Sequence, residues 1–347
     1  MSDVVLLLPG QGAQHGGMAV DLYTGEPAFA AAIDPLFEHL GEEGRRLRDL
    51  WLSGRSGDAL DEAAVAQPLL FAIGYALGRC LERYGIKPVA YLGHSVGELA
   101  AAALARVFDG ADAFDHAGAA RVMAARAHAV GTLPDGGMLA VAATPARLEP
   151  FVDPPDRADA VVIAAQNATT HTVLAGPRPR LSRVGEALRE AGIAWRPVPA
   201  RQPFHSPAAR PAALTFERDL GRFPLRAPDT TVWSTRTARP VRPEEAVDPG
   251  FWAGQLAEPV LFRQALHALL TEGGPLPRSG AGPYPRAGGT PLILVDAGPS
   301  QSLAVFARRH PAVRGGSGVV VPLLPPGREG TPDTWKSALD YLGRSSR

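Results

Sequence analysis

Val89-Ala90-Tyr91-Leu92-Gly93-His94-Ser95-Val96-Gly97-Glu98-Leu99-Ala100-Ala101-Ala102 decides how the chain is read. A short apolar run enters Gly93, a hydroxyl sits at Ser95, Gly97 follows, and an alanine-rich helical pattern begins. Glycines on both sides of a serine let a strand turn sharply into a helix and hold Oγ above the sheet edge. The helix that follows aims its free N–H groups and positive dipole end at the same spot, where negative charge would be stabilised. Such an elbow suits attack on a carbonyl.

Working outward, Val4 to Leu8 predicts a buried parallel strand that ends in Pro9-Gly10-Gln11-Gly12-Ala13-Gln14, and loops at the carboxyl ends of such strands form ligand crevices. Gly10 and Gly12 complete neither the phosphate-loop nor the dinucleotide spacing, so no nucleotide site is expected. Residues 28–51 and 67–77 read as helices, the second apolar nearly all round. Pro88 breaks the chain before the elbow strand, and helical patterns resume through Ala105 and over 109–127. Strand, helices, strand, elbow and helices make an α/β pattern.

From Gly131 the texture changes. Strands from Met138, Val161, Thr170 and Trp195 alternate with helices over 144–151 and 180–191. That β-α-β-β-α-β order is ferredoxin-like, and predicts a small subdomain at 130–199 inserted into a larger one made of 1–129 and 200–347. The chain then returns through Gln202-Pro203-Phe204-His205-Ser206-Pro207 to a helix over 212–220 and a strand at Thr231. Beyond these the pattern predicts helical turns over 251–268 broken at Pro259, a Gly/Pro-rich loop over 273–289, a strand at 291–296, a helix over 300–308 and a last helix after Pro332.

The 347 residues carry 35 basic and 35 acidic side chains, a formal charge of zero, so no global field draws the chain to nucleic acid or an anionic membrane. One cysteine, Cys80, excludes an internal disulfide and a Cys-rich metal site, and reads as a buried structural thiol. No metal site, secretory signal or span of about 20 apolar residues is read from the sequence, which predicts a cytoplasmic monomer.

A serine at an elbow needs a base and oxyanion donors. Among nine histidines, His39, His116, His128 and His267 fall on helical patterns and His94 precedes the nucleophile directly. His205, in a proline-flanked loop where the chain re-enters the larger subdomain, is the best placed.

Taken together, Pro9-Gly-Gln-Gly-Ala-Gln14, Gln67-Pro68, Gly93-His-Ser-Val-Gly-Glu98, Phe204-His205-Ser206, Phe251-Trp252, Pro259-Val260 and Asp296-Ala-Gly-Pro-Ser300 resemble, in order, the malonyl-CoA:acyl-carrier-protein transacylase family, including polyketide synthase acyltransferase domains. The resemblance implies an α/β-hydrolase-like large subdomain with a ferredoxin-like insert. It also implies ping-pong acyl transfer from an acyl-CoA or acyl-carrier-protein donor, by a stand-alone member serving polyketide-type, antibiotic-forming biosynthesis. Ser95 would take the acyl group with His205 as base, and pass it to the phosphopantetheine thiol of an acyl carrier protein, with no bound cofactor. The resemblance places the oxyanion hole at the backbone N–H groups of Gln11 and Val96, and the carbonyl that orients His205 at Thr235. Gln67, His94, His171 and Phe204 fall to substrate binding, and Asp296 to structure.

Family members that take dicarboxylic acyl groups clamp the free carboxylate with an arginine in the second helix after the elbow, a bidentate pairing. Counting without gaps from Ser95 puts that position at Ala120, with Arg121 adjacent but turned about 100° away. A pocket without the cation would cost a carboxylate several kcal/mol, so the expected acyl group is not malonyl-like. Three alternatives stay open: a malonyl-specific enzyme clamped by Arg121, an acyl-thioester hydrolase of the same fold, and a retired scaffold that binds carrier protein.

Overall fold

The computed structural model describes residues 3–55, 57–109, 116–273 and 291–345. Its larger sheet has six strands in the order β10-β9-β1-β2-β7-β8: β1 Val4–Leu8, β2 Ala90–Gly93, β7 Thr231–Ser234, β8 Arg239–Pro240, β9 Leu292–Asp296 and β10 Gly318–Pro322. All neighbours are parallel except β7 and β8. β1 and β9 are buried along their whole length, which is why they read as unbroken apolar runs.

β1 lies at the centre, with β2 on one side and β9 on the other. The chain winds out both ways from it, which leaves a crevice at the carboxyl ends of the strands. Leu8 pairs with Gly93, so the Pro9–Gln14 loop and the Ser95 elbow emerge side by side.

The helix Ala63–Arg83 is buried at 17 of its positions and packs against the elbow helix Val96–Leu104. It is long and apolar enough to cross a bilayer, a correction to the expectation that no stretch approaches that length, and 89% of the relevant window is buried in the protein. Cys80 sits on it, and burial pushes its thiol up to about 12.

The second sheet is antiparallel, β4-β5-β3-β6, built from β3 Gly137–Val141, β4 Val162–Ala168, β5 His171–Gly176 and β6 Trp195–Pro197. One face packs Leu139, Val141 and Leu174 against Leu181 and Leu188 of the helix Arg178–Glu190. The other face, with Ala165, Val173 and Ala175, joins Phe262, Leu266 and Leu303 of the larger unit. A parallel bridge between Ala165 and Val260 fastens the two sheets' surroundings together.

The single helix expected over 28–51 is two, Pro27–His39 and Gly41–Leu52, because Gly41 adopts φ 62° and turns the chain. β10 escapes the sequence pattern because it is a half-exposed edge strand. Positions 110–115, inside the helix expected from 109, and most of the Gly/Pro-rich loop, 274–290, lie outside the described residues.

Candidate active site

Ser95 has φ 54° and ψ −123°, outside the conformations an L-residue prefers. The elbow is held by close backbone approach. A Cβ on Gly97 would lie 2.1 Å from the Leu8 carbonyl oxygen, and one on Gly93 would lie 2.2 Å from the Glu98 nitrogen. The result aims Ser95 into a cavity of about 230 Å³ at the strand ends, lined by both loops and by the second sheet.

His205 also has a positive φ, 59°, in the loop after the second sheet. Its Nε2 lies 2.8 Å from Ser95 Oγ, and its Nδ1 donates to the Glu258 carbonyl at 3.0 Å. Nδ1 therefore carries the proton, and Nε2 offers a lone pair to the serine hydroxyl. Burial, the Arg126 charge and His94 hold the imidazole well below its ordinary value, down to about 3, so it is neutral and able to accept a proton.

The orienting carbonyl is Glu258, which corrects the expectation of Thr235. The Thr235 carbonyl is already taken by the Leu261 N–H at 2.6 Å. Thr235 instead donates its N–H and Oγ–H to the Glu98 carboxylate, both at 3.1 Å. Asp296 is likewise spent elsewhere, on the N–H groups of Gly298 and Ala304 at 2.8 and 2.6 Å.

Gln11, Gln67, His94, His171 and Phe204 all line the cavity with Ser95 and His205. Val96 begins the elbow helix, where its N–H lies outside the helical ladder. Gln67 donates Nε2–H to Gln11 Oε1 at 3.1 Å. His94 Nε2 meets Asn167 Oδ1 at 2.8 Å, and Asn167 Nδ2 donates to His171 Nδ1 at 3.3 Å, so one amide fixes both rings. Burial lowers both imidazoles below their ordinary value.

Ala120 and Arg121 are not in the cavity. Both line a separate groove with His39, Glu43 and Leu47, and the exposed Arg121 guanidinium lies 5.6 Å from the centre of the Phe223 ring. The helix also carries a cation that the ungapped count missed, Arg126, which lies not on the cavity wall but behind it, in a small void shared with Gln67. On the helix His116–Gly131, five residues rotate the side chain by about 140° from Arg121, and six by about 240° from Ala120. The length of the connection before the helix sets which residue faces inward, and a count from Ser95 does not contain it. The readable signal is an arginine set in the apolar stripe Val122, Ala129 and Val130.

Arg126 is 2% exposed. Its Nε donates to Gln67 Oε1 at 3.0 Å and its Nη1 to Gln255 Oε1 at 3.4 Å, while the buried Nη2 has no partner among the described residues. Burial draws the guanidinium down to about 9, which leaves it largely cationic at neutral pH. A buried cation with an unpartnered donor is the kind of group that an anion would satisfy.

A family profile described as "Acyl transferase domain" matches residues 5–277. The chain is 35% identical over 309 residues to a phenolphthiocerol/phthiocerol polyketide synthase of Mycobacterium tuberculosis (strain CDC 1551 / Oshkosh), covering 89% of this chain and 19% of that protein. It thus spans about a fifth of that relative's length. Among solved structures, the acyltransferase domain from the second module of the salinomycin polyketide synthase superposes with a TM-score of 0.80 at 30% identity, covering 97% of this chain and 72% of the other. A loading acyltransferase from the avermectin modular polyketide synthase gives 0.79 at 25%, covering 98% and 99%.

Proposed function

The chain belongs to the acyl transferase domain family, and from that premise we propose that it moves a short acyl group bearing a free carboxylate from a thioester donor, by way of Ser95, to the phosphopantetheine thiol of an acyl carrier protein in polyketide-type assembly. The observation that carries the acyl class is Arg126, a buried cation whose Nη2 is unpartnered among the described residues and whose neighbour Gln67 lines the same cavity as Ser95. This replaces the expectation of a non-malonyl group, which rested on Ala120.

In the first half-reaction the Ser95 hydroxyl proton passes to His205 Nε2 as Oγ bonds the thioester carbon. The carbonyl oxygen takes up the negative charge, held by the N–H groups of Gln11 and Val96. As the C–S bond breaks, His205 returns the proton to the departing thiolate, leaving the acyl group on Oγ. The second half-reaction runs the steps in reverse order with the carrier thiol as nucleophile, His205 taking its proton and handing it back to Oγ. Glu258 keeps the imidazole in the tautomer this needs.

Phe204, 3% exposed and lining the cavity, restricts the space for the acyl chain. His94, Asn167 and His171 form the wall on the side of the second sheet. The arrangement supports a division of labour in which 130–199 acts as the small subdomain and 1–129 with 200–347 as the large one. No cofactor enters beyond the phosphopantetheine arms of donor and acceptor.

The test is to mix the protein with malonyl- and acetyl-coenzyme A, weigh the intact chain, and add a carrier protein. The expected result is a malonyl adduct on Ser95, absent from Ser95→Ala, which carrier protein discharges. An acetyl adduct formed as readily as the malonyl one would refute the carboxylate reading, and discharge to water alone would favour a hydrolase.

A further inference from the structure

Gln255, 4% exposed, is buried where three groups meet. Its Nε2 lies 2.9 Å from the carbonyl oxygen of Ser95 and 2.8 Å from Glu98 Oε2. Both amide protons are thereby used, so the amide has one orientation and Oε1 must be an acceptor. Oε1 receives Arg126 Nη1 at 3.4 Å.

The far side of this amide is anchored. Glu98 is held by Thr235 through two hydrogen bonds and by Ser234 through another. On its other edge, the guanidinium is bracketed by Gln67, which is tied in turn to Gln11. Two glutamines therefore fix two edges of one cation and leave the buried Nη2 without a partner among the described residues. Only one of the two, Gln255, is bonded to the backbone of the nucleophile itself.

Resting on the carboxylated-acyl reading above, we propose that Gln255 is a positioning residue that sets acyl selectivity, by tying the Arg126 guanidinium to the Ser95 backbone at a fixed separation. A dicarboxylic half-thioester has to reach its clamp and present its carbonyl to Oγ together, so its rate depends on that separation. A plain acyl thioester has no second anchor and does not feel it. A purely structural glutamine would affect both donors alike.

The experiment compares kcat/KM for acylation by malonyl- and acetyl-coenzyme A in the parent, Gln255→Met and Arg126→Ala. Methionine keeps the volume and removes all three hydrogen bonds. The expected result is a malonyl-to-acetyl preference at least about tenfold below the parent's in Gln255→Met, moving toward that of Arg126→Ala, with acetyl acylation within about threefold of the parent. An unchanged preference, or an equal loss with both donors, would overturn the proposal. Should Gln255→Met not be recovered folded, the same ratio is read from Gln255→Asn, whose shorter side chain cannot reach all three partners. A parent with no malonyl preference sinks the functional reading and this inference with it, whereas a parent preference that Gln255 variants retain sinks this inference alone.

Discussion

Replacing Arg126 by alanine removes the buried cation that bonds Gln67 and Gln255. With a malonyl-type donor, the carboxylate would then enter without a counter-charge, and breaking one partner of a buried pair costs about 3–5 kcal/mol. At roughly 1.4 kcal/mol per tenfold, that is a loss of about a hundred- to several-thousand-fold in kcat/KM. Acetyl-coenzyme A does not use the clamp, so its acylation stays within about threefold. Folding is affected far less. The substitution exposes Gln67 Oε1 and Gln255 Oε1 to water in the space left behind, and it relieves the cost of burying a guanidinium whose Nη2 is unpartnered among the described residues. The assay is the acylation rate of each donor by intact-mass kinetics, with thermal unfolding beside it. A variant that keeps the parent's malonyl preference within about threefold would refute the clamp.

The same cation adds to the pH profile: burial first, and then the Arg126 charge, disfavour the His205 imidazolium, so the acid limb of kcat/KM should lie well below the ordinary histidine value and move part of the way up in Arg126→Ala. An identical acid limb in both proteins would show that burial alone sets it. Glu258 is exposed and serves through its carbonyl, so Glu258→Ala should leave acylation within about twofold. A hundredfold loss would mean that the side chain works as a triad acid. Gly97→Ala places a Cβ 2.1 Å from Leu8 O and 2.6 Å from Pro9 O, backbone atoms that cannot yield. We expect a loss of about 1–3 kcal/mol or more, seen as a lower unfolding midpoint together with slowed acylation, and an unaltered midpoint would show the elbow to be looser than its geometry implies.

Much of this molecule is legible in its residues because the signals are local. The elbow is written in Gly93, Ser95 and Gly97, the central strands in unbroken apolar runs, and the second sheet in the strand and helix order after Gly131. The pairing of Ser95 with His205 across 110 positions could be nominated because a proline-flanked histidine stood apart from those on helices.

What the residues alone could not settle were quantities set by packing. Arg126 rather than Ala120 reaches Gln67 on the cavity wall because a connection's length fixes a helix's rotation, and six residues carry a side chain about 240° around. Glu258 rather than Thr235 orients the base because the Thr235 carbonyl had already been claimed by Leu261. Gln255 acquired a role only where three distant segments met at one amide. Sequence determined the proposed nucleophile Ser95, its proposed base His205 and the fold that carries them, since each depends on short-range pattern. The proposed counter-charge for the acyl group came only from tertiary structure, because a buried charge takes its meaning from which groups surround it and which are left unpaired.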